Sequence, residues 1–157
     1  MTWPSSRFAW LAFSTKPTVT DFQSAAGIQG RQFAEQCCQL LTHYGYALHG
    51  RTLLPTLGVE IDCVATSPGG NVVWFEFKGS VQGTRPGLLR TDTLKKAIAN
   101  GALLAGSTDR CPFIVLTSHL PVAGAGAAML QTALRLGYLN DVICIYSPAG
   151  TLPLRDL

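Results

Sequence analysis

Residues 58–79, GVEIDCVATSPGGNVVWFEFKG, predict two antiparallel strands joined by a tight turn, and this hairpin decides the fold. Apolar and polar side chains alternate along residues 58–66, a pattern that is typical of a half-buried strand. The segment SPGGN, residues 67–71, is a strong turn signal because proline and glycine favour the backbone angles of turns. Residues 72–79 form the second strand, and the two strands therefore pair side by side.

The turn length fixes which residues of the two strands lie opposite each other. The loop is residues 67–70 or residues 67–71. With the longer loop, Asp62 faces Glu76 across the hairpin with the two Cβ atoms roughly 5 Å apart, and a one-residue bulge in the turn would shift this register. The same register places Glu60 opposite Lys78. Glu76 and Lys78 are two residues apart on one strand, so their side chains share a face. The sequence therefore predicts a compact group of charged residues in an otherwise apolar hairpin.

Two facing carboxylates repel each other unless a positive charge lies between them. Hard oxygen ligands such as Asp62, Glu76 and the main-chain carbonyl of Phe77 suit Mg²⁺ or Mn²⁺. Such a cation lowers the pKa of a bound water and stabilises charge that develops on phosphorus, while Lys78 can position the attacking water. The alternative is a solvated ion cluster in which Lys78 and Glu60 form a surface salt bridge.

The rest of the chain predicts an α/β fold. Three helices are expected, at residues 27–44, in a segment that Thr91 or Asp92 caps and whose inner apolar stripe ends at Ala105, and at about residues 123–136. Three further strands are expected, at residues 46–54, 113–118 and 142–147. A hairpin followed by helical crossovers predicts a mixed central sheet flanked by helices. Residues 1–26 show no clear period and are predicted to be an N-terminal arm before a single domain at residues 27–157.

The composition limits the class of protein. The chain has 157 residues, of which 47% are hydrophobic and 13% are charged, values that fit one folded domain and exclude disorder. The net charge of +3 permits nucleic acid as a partner without requiring it. Five cysteines without a C-x-x-C pair are interpreted as reduced thiols, which favours the cytoplasm. No apolar run approaches the ~20 residues of a membrane span.

The motifs GVEIDCVA, with Asp62, and WFEFKG, with Glu76 and Lys78, resemble those of the PD-(D/E)XK nuclease superfamily. The predicted element order also resembles the αβββαβ core of its restriction-endonuclease-like fold, here with an added C-terminal helix and strand. The helix segment GRQFAEQCC places Glu35 where many members carry a further acidic residue. Ile61 stands where the superfamily's eponymous motif has proline, a change that moves no catalytic group.

This resemblance implies roles for individual residues. It implies Asp62 and Glu76 as metal ligands, Lys78 as the water-activating residue and Glu35 as an outer or second-metal carboxylate. The implied cofactor is Mg²⁺, with Mn²⁺ able to substitute, and the implied reaction is hydrolysis of DNA phosphodiester bonds by an endonuclease. The small size is similar to that of archaeal-type Holliday junction resolvases and of small restriction enzymes. Glu35 is equally compatible with an ordinary solvated helix position.

Other charged residues fit DNA as the partner. A basic stretch follows the second hairpin strand and is expected to contact DNA phosphates, through Arg85, Arg90, Lys95 and Lys96, or else to form a solvated surface. Cutting both strands of a duplex requires two sites, which makes a homodimer a further expectation. The histidines, including His119, are scattered and interpreted as structural or surface residues. The competing hypothesis is a catalytically silent nuclease-fold module for DNA binding or protein assembly.

Overall fold

The computed structural model describes the backbone of residues 19–80 and 85–157, and side chains from residue 27 onward. These ranges contain three α-helices: α1 (Val19–His43), α2 (Thr91–Ala105) and α3 (Gly124–Arg135). They contain five strands: β1 (Ala47–Leu54), β2 (Val59–Thr66), β3 (Val72–Lys78), β4 (Phe113–Thr117) and β5 (Asp141–Cys144). Two short 3-10 helices lie at Gly87–Leu89 and Leu152–Arg155.

The five strands form one mixed sheet whose spatial order, β1-β2-β3-β4-β5, follows the chain. The pairs β1–β2 and β2–β3 are antiparallel, whereas β3–β4 and β4–β5 are parallel and are connected through α2 and α3. The predicted α/β class with a mixed central sheet is thereby confirmed. Strand β3 is the seam between the antiparallel and parallel halves.

Helices cover both faces of this sheet, because alternate residues of the inner strands point to opposite sides. On one side Phe33, Cys37 and Leu41 of α1 share a buried cluster with Phe75 of β3. On the other side a second cluster joins α2 and α3 to the sheet, through Leu94, Ala97, Leu130, Trp74 and Val115. Strand β4 reads as five consecutive buried residues because both of its faces are covered.

Helix α1 begins at Val19, eight residues before the predicted start at residue 27. The segment VTDFQSAA contains few large apolar residues and therefore shows no apolar period that would predict a helix. The backbone of residues 19–26 is nevertheless helical, so the predicted helix start at residue 27 is wrong. The rest of the arm, residues 1–18, lies outside the described residues.

Two other predicted boundaries are wrong. Helix α2 has Arg90 at its N-cap position, with no side-chain capping bond, and Thr91 and Asp92 lie inside its first turn, where a carboxylate still favours the helix dipole. Strand β5 ends at Cys144 because the Ser147 N–H bonds to the Cys144 carbonyl in a turn, just before Pro148. None of the helices in the described ranges is long and apolar enough to cross a membrane.

Candidate active site at the end of the central strand

The β2–β3 hairpin has the predicted register. Its ladder runs from the Thr66–Val72 pair to the Cys63–Phe75 pair, and a five-residue loop closes it. The Ser67 N–H donates to the Asn71 carbonyl at 2.8 Å across the base of that loop. The glycine-rich turn therefore introduces no shift between the two strands, and the next position beyond the ladder brings Asp62 beside Glu76.

The β2 strand bulges at Asp62. In the pairing with β1, residues 62 and 63 together lie opposite Arg51 alone, which is a β-bulge. The ladder of hydrogen bonds between β2 and β3 stops at this point. The Asp62 side chain bonds instead to the main chain of β3, where its Oδ2 atom accepts the Phe77 N–H at 2.9 Å. The bulge thus replaces a strand–strand hydrogen bond with one to a carboxylate.

Glu76 is buried, with 2% of its surface exposed. Its Oε1 atom accepts a hydrogen bond from Asn100 Nδ2 at 3.1 Å and lies 2.5 Å from Lys78 Nζ. Among the described residues, Oε2 of Glu76 is the buried side-chain polar atom that has no hydrogen-bond partner. Asn100 and Lys78 therefore both contact Oε1, and no described residue satisfies Oε2.

The electrostatics of Glu76 follow from this environment. Burial raises the pKa of the Glu76 carboxyl, and the nearby charge of Asp62 raises it further. The Lys78 ammonium and the Asn100 amide lower the pKa but do not cancel the effect of burial. An ionised Glu76 is therefore incompletely compensated, and a bound cation would offset that cost.

Lys78 ends β3, and its backbone is fixed from the neighbouring strand. The Thr117 hydroxyl donates to the Lys78 carbonyl at 2.7 Å, and both Thr117 and Ser118 are buried. Gly87, at φ +60°, packs against these two residues so closely that a side chain there would collide with their hydroxyls. The segment that enters α2 thus closes over the end of β4 beside Lys78.

The expected Glu60–Lys78 pair is wrong. Glu60 forms an ion pair with Arg51 of β1 at 3.3 Å, and both side chains are at least half exposed. Lys78 instead pairs with Glu76 on its own strand. The reason is the early end of the β2–β3 ladder at Cys63. The burial of Glu76 also excludes the alternative in which both carboxylates form a solvated surface cluster with Lys78 and Glu60.

Glu35 and the basic residues are not drawn into this group. Glu35 is exposed, and its charge adds to burial in raising the pKa of Cys38. The charges that act on Glu76 are those of Lys78 and Asp62. The role of Glu35 as a further carboxylate stays a prediction. The predicted phosphate contacts also stay predictions. The four basic side chains are all exposed: Arg85, Arg90, Lys95 and Lys96. Arg90 forms an ion pair with Asp92 at 3.5 Å.

The donor set fits a hard divalent cation with few protein ligands. Asp62, the unpartnered Glu76 Oε2 and the Phe77 carbonyl are oxygens, the ligand type that Mg²⁺ and Mn²⁺ prefer. Across residues 19–80 and 85–157, no group of three His, Cys, Asp or Glu side chains could hold a metal ion. A cation here would therefore be held by two carboxylates and would keep several waters, as Mg²⁺ usually does.

Asn100 is the site residue that sequence reasoning missed. It lies on the inner side of α2, three residues after buried Ala97 and four before buried Leu104, and its amide reaches Glu76. A polar residue at helical spacing within an apolar stripe was the available signal. Sequence alone could not connect it to Glu76, because the contact depends on how α2 crosses the sheet.

No family model matches the chain, and no curated protein or solved structure shows significant similarity to it. The likeness to the PD-(D/E)XK superfamily therefore rests on the motif residues Asp62, Glu76 and Lys78 and on the order of the elements. What these residues can do follows from their geometry.

Proposed function

We propose that this protein is a Mg²⁺-dependent DNA endonuclease of the PD-(D/E)XK type with a restriction-endonuclease-like fold. The observation that carries the proposal is the Oε2 atom of buried Glu76, which has no hydrogen-bond partner within residues 27–80 and 85–157 and lies beside Asp62 and Lys78. A buried carboxylate oxygen without a partner costs free energy in the absence of a ligand, and such groups often have a functional explanation. Mn²⁺ is expected to substitute for Mg²⁺.

The fold supports this assignment. The elements from α1 to β4 follow the order αβββαβ, with α3 and β5 added after them. The candidate site lies where β3 leaves the hairpin, at its carboxyl end beside the carboxyl end of parallel β4. In open α/β sheets, ligands bind in the crevice outside the carboxyl ends of the strands.

Each residue has a role in phosphodiester hydrolysis. Asp62, Glu76 and the Phe77 carbonyl would hold the Mg²⁺ ion, which when bound acidifies water and stabilises negative charge on the phosphate. Lys78 orients the attacking water and neutralises charge that develops at phosphorus as the new P–O bond forms and the ester P–O bond breaks. Asn100 holds Glu76 by its bond to Oε1, which leaves Oε2 as the oxygen that would bind the cation.

The test is cleavage of four DNAs of matched length, namely a linear duplex, a single strand, a flap and a four-way junction, with Mg²⁺, Mn²⁺ or EDTA. Wild type is compared with Lys78→Ala and Asp62→Ala. Removing a group that stabilises transition-state charge lowers rates by about 10²–10³-fold, and we expect losses of that order in both variants. Glu60→Ala is the matched control, because Glu60 is an exposed carboxylate on the same strand that pairs with Arg51.

Metal binding is measured separately, by the increase in melting temperature that Mg²⁺ or Mn²⁺ produces. We expect this increase in wild type and Glu60→Ala and its loss in Asp62→Ala. If no DNA is cut under any condition, the enzyme assignment fails and the protein is a silent nuclease-fold module. If cutting persists in EDTA or in Lys78→Ala at the wild-type rate, the proposed roles are wrong.

A further inference from the structure

Two aromatic side chains lie together beyond the carboxyl ends of the parallel strands. His119 follows β4 and Tyr146 follows β5, and their ring centroids are 6.4 Å apart at an interplanar angle of 72°. Tyr146 is 48% exposed and His119 is exposed as well. We call this pair the aromatic ledge. An exposed tyrosine is common on a protein surface, but this one is held in place.

The ledge is fixed by two contacts to α1. The Tyr146 hydroxyl donates to Gln36 Oε1 at 2.6 Å. Its ring also meets Phe33 edge-on, with centroids 6.4 Å apart at an angle of 76°, and Phe33 itself is 1% exposed. Because the ring is anchored before any ligand arrives, binding against it costs little side-chain entropy.

The ledge is also joined to the candidate active site. Phe33, which supports Tyr146, packs directly on Gly79, the residue after Lys78, and leaves no room there for a side chain. The Ser80 N–H bonds to Ser118 Oγ at 3.4 Å, one residue before His119. A single strand, β4, separates β3 from β5, so the ledge is offset from Lys78 by roughly two strand spacings, about 10 Å.

We propose that the aromatic ledge binds an unpaired DNA base next to the strand whose phosphate enters the candidate active site. This inference rests on the proposed function and narrows its substrate class. Bases stack on exposed aromatic rings whatever their identity, and the gain is available only to bases that are not already stacked inside a duplex. The substrate is therefore DNA with single-stranded character at the cut, such as a single strand, a flap or a junction.

The experiment separates binding from cleavage. Fluorescence anisotropy in EDTA measures the affinity of the full-length protein for a labelled single-stranded DNA and for a duplex of equal length. Wild type is compared with Tyr146→Ala, with Tyr146→Phe, which keeps the ring and loses only the bond to Gln36, and with Leu136→Ala. Leu136 is 56% exposed and precedes β5, at the opposite end of that strand from Tyr146, which makes it a matched apolar control. Thermal melting verifies that each variant is folded.

We expect wild type to prefer the single strand and Tyr146→Ala to bind it about 5- to 100-fold more weakly, with duplex binding unchanged. Tyr146→Phe keeps the stacking ring but loses the bond that anchors it to Gln36, so its loss on the single strand should be smaller than that of Tyr146→Ala. Leu136→Ala should bind as wild type does. Equal affinity of Tyr146→Ala and wild type for the single strand, or equal losses on single strand and duplex, would overturn the inference. If Tyr146→Ala weakens single-strand binding but wild type cuts no DNA, the inference about the ledge holds and the enzyme assignment fails. If wild type cuts DNA and Tyr146→Ala cuts and binds it equally well, the enzyme assignment holds and the inference fails.

Discussion

The two ends of the β2–β3 hairpin differ in how completely their hydrogen-bonding groups are satisfied. At the turn end, four residue pairs are in continuous register and the loop is closed by hydrogen bonds of its own. At the open end, a bulge displaces Asp62 from the ladder, and Glu76 is buried with one oxygen that no described residue satisfies. Both ends belong to the same two strands, so the contrast is not one of fold or composition.

The difference shows at which end the hairpin loses stability. A closed ladder satisfies every donor and acceptor that it buries, which is the normal condition of a protein interior. The open end violates that condition at Glu76 while still burying the residue almost completely. Natural proteins tolerate such violations mainly at functional sites, and the variants below test whether this hairpin follows that rule.

The largest effect on stability is expected from Phe75→Ala, in the closed ladder. Phe75 is fully buried, and its ring centroid lies 5.6 Å from that of Tyr46. The substitution therefore leaves a cavity in the buried cluster between α1 and the sheet. Urea unfolding should show a loss of about 3–5 kcal/mol. Val72→Ala, at a 44% exposed position on the same strand, is the control and should change stability by less than about 0.5 kcal/mol. Similar losses in the two variants would show that the closed ladder is not stabilised by the burial of Phe75.

At the open end, Glu76→Gln should abolish metal-dependent cleavage, by about 10²-fold or more, without destabilising the metal-free protein at neutral pH. The folded pKa of Glu76 is raised by burial above its ordinary value of 4.5. Its contribution to stability is therefore present below the ordinary pKa and is lost as the pH rises through the higher folded pKa.

Urea unfolding in EDTA at several values between pH 4.5 and 8 checks this sign. Wild type should lose stability relative to Glu76→Gln as the pH rises across that window, and added Mg²⁺ should reduce the difference. A wild type that gains stability relative to the variant with rising pH would show that the Glu76 carboxylate is well compensated without a cation.

A smaller effect is expected from Asn100→Ala. Hydrogen bonds to charged groups contribute about 1.5–3 kcal/mol, and the lost bond to Glu76 Oε1 should lower the affinity for Mg²⁺ about tenfold or more. Calorimetric titration with Mg²⁺ measures this directly and does not depend on turnover. Asn100→Gln keeps an amide donor and should recover part of the affinity. Unchanged Mg²⁺ binding in Asn100→Ala would remove Asn100 from the site.

The smallest effect is expected from Glu60→Ala. The exposed Arg51–Glu60 pair lies on the same strand as Asp62 but is solvated, and such pairs contribute about 0–1 kcal/mol. Urea unfolding and the cleavage assay should both give values close to wild type. A loss of cleavage comparable to that of Asp62→Ala would move Glu60 into the site and erase the distinction between the two carboxylates.

Local signals in the sequence predicted the hairpin well. The turn SPGGN and the alternation on either side of it were sufficient to place Asp62 beside Glu76, because a register depends only on loop length and strand period. They could not reveal the bulge in β2, which arises in the pairing with β1 and moves Glu60 to Arg51. The pairing of one strand with two neighbours is a tertiary property.

Other parts of the site depended on long-range packing. Asn100 reaches Glu76 only because α2 crosses the sheet at that point, and the Thr117 hydroxyl meets the Lys78 carbonyl only because β4 is parallel to β3. The start of α1 was missed for a different reason. Its first residues lack the apolar stripe by which an amphipathic helix is recognised.

The position of β3 as the seam of the sheet has a consequence for folding on the ribosome. The antiparallel half of the sheet needs only local hairpin contacts. Strand β4 can pair with β3 only after the chain has passed through α2, and such non-local contacts form slowly. A nascent chain that ends before residue 113 can carry Asp62, Glu76 and Lys78 but lacks the strand whose Thr117 fixes the end of β3. The group is therefore completed by a late step of synthesis, and the chain acquires its arrangement only when most of the domain has emerged.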